Sequence, residues 1–362
     1  IIGVCGCMMQ QREVAARLYK RFPFVDLVFG THELHHFPQL LSRALEGERV
    51  ISVRESEGEI AEGLPVVRNG SFSTFVTIMY GCDNFCTYCI VPYVRGRERS
   101  RAPENILAEV RRVAEQGFRE VTLLGQNVNS YAYADADVDF PELLRRTNAV
   151  DGVERIRFMT SHPKDISPRL IEAMATLPKV CNHIHLPVQS GSNRILAAMN
   201  RRYTREKYLN LVQQIRGAVK DVEITTDIIV GFPGETEEDF LDTLSLVREA
   251  GFAAAYTFMY SPRPGTRAAA MENQIAEEVK KQRLLRLNAA SAEQLQKGNS
   301  KYIGQCGTVL VEGCDQRAGE VTAFGKLPNF KMVYFPGGAE LIGTMREVRI
   351  TGTMNNSLIG DL

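Results

Sequence analysis

The sequence predicts an α/β protein. Six strand–helix units in a row form a parallel sheet curled into a partial barrel, with a small α/β unit before it and a small antiparallel β-barrel after it. Three observations carry this reading. From Ser71 to about Pro262, short β-rich runs alternate with runs whose apolar residues fall at helical spacing, and strands separated by helical crossovers pair in parallel. Residues 1–68 hold a shorter strand–helix alternation that ends in a charged, Gly-bearing stretch. Beyond Ser300, apolar and polar residues alternate between Gly-rich turns, as in a small closed β-barrel.

Taken in order, Ile1-Ile2-Gly3-Val4-Cys5-Gly6-Cys7 reads as a strand interior running into a Gly turn. It has no initiator Met, and the expectation is that an N-terminal segment precedes it. Helical spacing follows at Gln11–Phe22 and Phe37–Glu46, an apolar run at Val25–Phe29, and a connector at Arg54–Gly63. The six central strands are expected at Phe75–Tyr80, Glu120–Leu124, Arg155–Thr160, His183–Val188, Glu223–Val230 and Ala254–Tyr260. Helices between them include Pro103–Gln116, Pro168–Thr176, Arg205–Val219 and Glu237–Ala250, several with a Ser, Thr or Pro at the start that suits a helix N-terminus. A polar helix, Ala276–Lys301, leads out, and strands are expected at Gly304–Glu312, Gly319–Ala323, Lys331–Phe335 and Arg346–Thr353. The expected domains are 1–68, 69–299 and 300–362.

Composition narrows the class. The 362 residues carry 43 Lys+Arg and 43 Asp+Glu, so a nucleic-acid partner must be held by local basic patches and not by a global positive field. No stretch approaches the roughly 18–20 consecutive apolar residues of a membrane helix, and no secretory signal opens the chain. The expectation is a cytoplasmic enzyme without a membrane partner. Eight cysteines are too sparse for a secreted disulfide scaffold.

Three of them crowd into Gly81-Cys82-Asp83-Asn84-Phe85-Cys86-Thr87-Tyr88-Cys89, just after the first central strand. That is the end of a parallel sheet where active sites gather. Three thiolates on one loop hold three irons of a four-iron cluster and leave the fourth open for chemistry. A structural zinc needs a fourth ligand, and neither a second Cys-x2-Cys nor a nearby His pair supplies it.

The Cys-x3-Cys-x2-Cys spacing, with Tyr88 before the third cysteine, resembles the signature of radical S-adenosylmethionine (SAM) enzymes. The runs Leu124-Gly125-Gln126-Asn127-Val128-Asn129, Thr160-Ser161-His162-Pro163, His185-Leu186-Pro187-Val188-Gln189-Ser190-Gly191-Ser192 and Gly231-Phe232-Pro233-Gly234-Glu235-Thr236 extend the resemblance to the methylthiotransferases of that superfamily, over essentially the whole chain. The resemblance implies that the cluster on Cys82, Cys86 and Cys89 chelates SAM and cleaves it reductively to a 5′-deoxyadenosyl radical. It implies a methylthio transfer to C2 of N6-isopentenyladenosine beside the tRNA anticodon, with a threonylcarbamoyl-adenosine or a ribosomal protein as the rival substrate. Gly125, Gln126 and Asn127 end the second strand, where amides hydrogen-bond the methionine end of SAM or merely satisfy a turn. Gln189 and Ser190 end the fourth, as ribose contacts or as turn residues. Asp227 lies inside the fifth, as a SAM contact or a member of a polar network.

The family uses a second four-iron cluster in the N-terminal domain. Gly6-Cys7-Met8-Met9-Gln10 resembles its third ligand motif, so Cys7 is the expected ligand, with Cys5 as its neighbour and rival and the other two cysteines outside this chain. Cys181, Cys306 and Cys314 match no ligand spacing. Residues 300–362 resemble TRAM, a small RNA-binding barrel, with Arg317, Lys326, Phe330, Lys331 and Tyr334 as its candidate contacts to a tRNA anticodon stem-loop. Basic clusters at Arg95–Arg101 and Arg201–Arg205 place Arg95 and Arg97 near the cluster, as phosphate contacts or as ordinary surface ion pairs. His32, His35 and His36 read as a surface helix start. An external electron donor such as flavodoxin or ferredoxin and a monomeric state complete the expectation.

Overall fold

The computed structural model describes all residues except 55–61, 63–65, 69, 71, 318 and 319; the side chains of Arg317 and Glu320 also lie outside the described residues, as does most of the expected connector. The opening unit is a three-stranded parallel sheet, β1 (Gly3–Cys5), β2 (Leu27–Phe29) and β3 (Val50–Ser52), in that order. Helices α1 (Arg12–Arg21) and α2 (Phe37–Leu45) cross between its strands. A 3-10 turn, Thr31–His36, carries the three histidines. His32 is buried there, and His36 sits beside Glu33.

The central unit starts with β4 (Ser73–Thr77), which stops sooner than the apolar run suggests. Met79–Tyr80 is a separate strand, β5, paired antiparallel with β6 (Arg99–Ser100) beyond α3 (Val91–Arg95). The chain then runs through α4 (Pro103–Glu115), β7 (Glu120–Leu124), a short hairpin β8 (Ala132–Tyr133) and β9 (Val138–Asp139), α5 (Phe140–Asn148) and β10 (Arg155–Phe158). It continues as α6 (Pro168–Thr176), β11 (His183–His185), α7 (Asn193–Ala198), α8 (Arg205–Ala218), β12 (Glu223–Val230), α9 (Glu237–Ala250) and β13 (Ala254–Met259). All six long strands pair in parallel, in the orders β10-β7-β4 and β11-β12-β13. The two halves meet where Ile156 bridges Val180 and where Ser161 N donates to His185 O.

The curled sheet has two chemically distinct faces. Val76, Val121, Leu123, Ile156, Phe158, Ile184, Ile224 and Ile228 point outward, with no more than 1% exposure each, and pack on α4, α5, α6, α8 and α9. The alternate residues face the concave side and are largely polar, Glu120, Thr122, Arg157, His183, His185, Thr225 and Asp227, with Ile229, Tyr256 and Phe258 on the same face. Period-2 alternation therefore gives a dry outer core and a largely polar lumen.

Helix α10 (Glu277–Ser300) leads to a closed barrel of β14 (Cys306–Arg317), β15 (Glu320–Lys326), β16 (Met332–Pro336), β17 (Met345–Met354) and β18 (Ser357–Asp361), in the order β14-β15-β16-β18-β17. The fifth strand is not in the sequence reading. It begins immediately after a tight turn in which Asn355 takes φ 51°, so two strands read as one run and a tail.

This barrel plugs the central one at the N-terminal ends of its strands, and the plug corrects three RNA-contact expectations. Lys331 is buried, its Nζ donating to Asn299 Oδ1 at 2.8 Å. Phe330 stacks on His183 at 4.5 Å between ring centroids and under the guanidinium of Arg157. Lys326 is paired with Glu312 at 2.8 Å. The side chains of Lys331 and Phe330 thus serve the seam between barrels, and the Lys326 ammonium is committed to an ion pair within the small barrel. Arg155 donates to Lys326 O and Thr308 O, and Arg157 donates to Leu327 O, Pro328 O and the carboxylate of Glu120. Arg157→Ala is expected to cost about 3–5 kcal/mol in a denaturant titration, since it strands the buried Glu120 without a counter-charge.

Candidate active site

The cysteine loop is shaped by two glycine-level constraints. Gly81 takes φ +79°, and a Cβ there would meet Arg97 O at 1.9 Å. Its N–H donates to Gln126 Oε1 at 2.7 Å, and Cys82 N donates to Gly96 O at 3.2 Å. The loop is therefore clipped on both sides before the first thiol. Gly81→Ala is expected to lower iron bound per chain severalfold after anaerobic reconstitution, because both a positive φ and a backbone clash oppose the side chain.

Past the clip, Phe85 takes φ 45° between the first two thiols, and Asn200 Nδ2 donates to the carbonyls of Asn84 and Phe85 at 3.2 and 3.1 Å. Thr87 N donates to Met199 O at 3.1 Å and its hydroxyl to Ala198 O at 2.9 Å. The end of α7 thus holds the loop from beneath. Cys82, Cys86 and Cys89 all line one cavity of ≈ 370 Å³ at the C-terminal ends of the central strands.

The wall opposite the thiols is built by three strand ends. Gly125 and Gln126 follow β7, Thr160, Ser161 and His162 follow β10, and Pro187 and Gln189 follow β11. Thr160 and Gln189 take φ 69° and 70°, strained values for side-chain-bearing residues that cluster where a ligand is held. Asp227 of β12 completes the wall, with its Oδ2 3.4 Å from His185 Nε2. Tyr88 lines the floor, and burial pushes its hydroxyl well above the ordinary tyrosine range.

Two of the expected cofactor contacts lie elsewhere. Asn127 is 1% exposed and acts as a loop hub: Nδ2 donates to Asp165 Oδ2 at 2.9 Å, and Oδ1 accepts from His162 N at 3.2 Å. Ser190 is fully buried against α9, within 3.4 Å of Thr243 Oγ1, and accepts from Ser192 N. Both brace the walls without reaching the cavity. Gln126 reaches it, though its Oε1 is engaged by Gly81.

Arg201 is the residue that sequence reasoning placed on a basic surface and the fold turns inward. It is 4% exposed; Nη2 donates to Pro187 O at 2.7 Å, Nε to Tyr203 Oη at 2.9 Å, and Nη1 lies 3.5 Å from Cys86 Sγ. No carboxylate among the described residues pairs with it, so a buried cation faces the thiols without an anion. Arg202 points the other way and is exposed, an inside–outside alternation that a run of five polar residues does not reveal.

The N-terminal unit sits against the same end of the barrel. Thr31 Oγ1 donates to Val94 O at 3.0 Å, and Arg95 Nε donates to Cys7 Sγ at 3.1 Å. Arg95, expected as a phosphate contact, is thus committed to Cys7. Arg97 pairs with Asp83 at 3.0 Å and lies over the Phe85 ring, and Arg101 is buried between Glu62 and Glu109. Cys7 lies in the turn after β1, whereas Cys5 is inside β1 and exposed.

The donor set fits a four-iron cluster with SAM on it. Burial pushes the Cys82 thiol up to about 11 and raises that of Cys89, so both stay protonated until a metal displaces the proton. Among the described residues no three His, Cys, Asp or Glu side chains converge to share one ion, and a cluster asks for something else, one thiolate per iron. Asn84 Oδ1, Ser161 Oγ, His162 Nε2 and Gln189 Oε1 are buried without a hydrogen-bond partner, and all four residues line this cavity. Orphaned polar atoms gathered at one place fit a polar ligand.

Comparison with known proteins agrees. Residues 76–247 match the Radical SAM superfamily, and residues 300–362 match the TRAM domain. The chain is 52% identical to the tRNA-2-methylthio-N(6)-dimethylallyladenosine synthase of Clostridium perfringens over 364 residues, covering all of this chain and 81% of the relative. The enzymes of the same name from Alkaliphilus oremlandii and Caldicellulosiruptor saccharolyticus are 52% and 57% identical, over 100% and 88% of this chain and 77% and 68% of theirs. Among solved structures, the radical SAM methyltransferase TsrM from Kitasatospora setae superposes with a TM-score of 0.56 at 16% identity, over 74% of this chain and 58% of that one. That likeness supports the barrel fold.

Proposed function

The chain belongs to the family of tRNA-2-methylthio-N(6)-dimethylallyladenosine synthases, and on that premise we propose that it adds a methylthio group to C2 of N6-isopentenyladenosine beside the tRNA anticodon. The observation that carries the reading is the trio Cys82, Cys86 and Cys89 on one wall of a cavity whose other walls hold unpartnered buried polar atoms. A cluster held there by Cys82, Cys86 and Cys89 would supply the electron for reductive cleavage of SAM, and a second cluster, held by Cys7 with two further cysteines, would supply the sulfur.

The protein's own residues do the rest. Asn84, Ser161, His162 and Gln189 offer hydrogen-bonding atoms that a polar cofactor would satisfy, and Arg201 offers a buried positive charge to the cluster or to the SAM carboxylate. Burial, reinforced most by Arg201, holds His162 down at about 2, so it stays neutral and available as a hydrogen-bond partner across the working pH range. The target base has a stacking surface on the sheet edge. Tyr256 pairs in register with Asp227 and so shares its face, and Phe258 follows two residues on; they are 45% and 52% exposed. Exposed aromatics on a largely polar lumen suit an unstacked RNA base.

tRNA and SAM are the partners in this reading. A one-electron donor of the flavodoxin or ferredoxin type, a monomeric state and a cytoplasmic setting belong to it; among the described residues no helix is long and apolar enough to cross a membrane. The substrate test is a competition. Given equal amounts of tRNA carrying isopentenyladenosine and tRNA carrying threonylcarbamoyladenosine, the enzyme is expected to methylthiolate the first at least tenfold faster, as read by nucleoside mass spectrometry. The reverse preference would overturn the assignment of the base. Removing the Tyr256 and Phe258 rings (Y256A/F258A) is expected to raise KM for tRNA about tenfold or more, at roughly 1–3 kcal/mol per stacked base.

A further inference from the structure

Next to the cavity lies a second one of ≈ 350 Å³ on the outer surface, between the loop after β10 and the length of α8. Lys164, Arg202 and Lys207 line it together with the amides of Asn210 and Gln214, and no carboxylate does. We propose that this groove grips the sugar–phosphate backbone of the tRNA substrate, fixing the RNA strand at the rim of the active site; the proposal rests on the tRNA reading above.

Two observations carry it. The first is which cations remain available. In the basic stretch after the cysteine loop, Arg95 is bonded to Cys7, Arg97 to Asp83, and Arg101 to Glu62 and Glu109. In the second stretch, Arg201 is buried at the thiols and Arg205 is held by Glu249 and Asp242 O. Arg202 and Lys207, by contrast, are exposed and have no carboxylate partner among the described residues, while Lys164 leans on Asp165 at 2.7 Å. Charge left unpaired and gathered in a concave site suits a polyanion.

The second observation is position. The groove and the active-site cavity share a wall. Its rings are His162 and Tyr203, 5.8 Å apart between centroids, with His162 lining the cavity and Tyr203 the groove. On either side of that wall, consecutive residues face opposite ways: Arg201 to the cavity and Arg202 to the groove, His162 to the cavity and Pro163 and Lys164 to the groove. An RNA strand gripped here lies close to the cavity mouth. Phosphate contacts of this kind set register and carry no base information, leaving recognition of the base to the lumen.

The test is binding of an anticodon stem-loop RNA to the anaerobically reconstituted protein, followed by fluorescence anisotropy across a salt series. R202A/K207A is expected to weaken binding about tenfold and to flatten the slope of log K against log salt by about 1 to 2, one unit or less per lost phosphate contact. RNA-independent SAM cleavage is expected to stay at the wild-type level, which also shows that the variant is folded and loaded. The comparison pair is R248A/K220A, which removes two exposed cations elsewhere and is expected to leave affinity and slope unchanged. Wild-type affinity and slope in R202A/K207A would overturn the groove while leaving the tRNA reading intact, as would an equal loss in the comparison pair. A wild-type protein that does not bind the RNA would overturn both.

Discussion

Changing Cys82, Cys86 or Cys89 to alanine is expected to bring SAM cleavage below detection. Groups that only brace a metal ligand typically cost 10–100-fold when lost, so loss of a ligand should exceed about 100-fold. Each thiol lines the same cavity, and each sits on a loop clipped by Gln126, Gly96, Met199 and Asn200, so an alanine removes the donor without releasing the loop. The accompanying readout is iron per chain, which should fall in all three variants. Full SAM cleavage in any one of them would remove that cysteine from the site.

Cys7→Ala is expected to separate the two halves of the reaction. Cys7 lines no part of the SAM cavity and reaches the central unit through Arg95, so 5′-deoxyadenosine formation should stay within about twofold of wild type. On the proposed role of Cys7 as a ligand of the sulfur-supplying cluster, methylthiolated tRNA should fall by about 100-fold or more. Cys5→Ala is the internal comparison: Cys5 is an exposed residue of β1 and not of the turn that meets Arg95, so it should retain product. Product from Cys7→Ala, or its loss from Cys5→Ala alone, would reassign the ligand.

The parallel order of the central strands was legible because the polar–apolar period and the intervening helices are local properties of the chain. So was the thiol trio, since its three ligands fall within one loop. The seam between the barrels was not. Lys326, Phe330 and Lys331 have the composition of an RNA-facing patch, and only the partners that folding brings to them, Glu312 for Lys326, His183 and Arg157 for Phe330 and Asn299 for Lys331, engage their side chains within the protein. Arg201 and Arg202 make the same point in two adjacent residues, one facing the thiols and the other the solvent. Ser190 and Asn127 sit beside true cavity residues in the sequence, yet the positive φ of Gln189 and the turn after Gln126 send their side chains into the walls. Strand ends, where backbone direction changes at every residue, are where proximity in sequence predicts proximity to a ligand least well.

The most direct measurement of the central claim is a single anaerobic reaction of the cluster-loaded protein with SAM, a low-potential reductant and tRNA carrying isopentenyladenosine, with both products quantified by mass spectrometry. Formation of 5′-deoxyadenosine together with 2-methylthio-N6-isopentenyladenosine is the expected result. Absence of 5′-deoxyadenosine from protein that holds its iron would contradict the assignment of Cys82, Cys86 and Cys89 to a SAM-cleaving site.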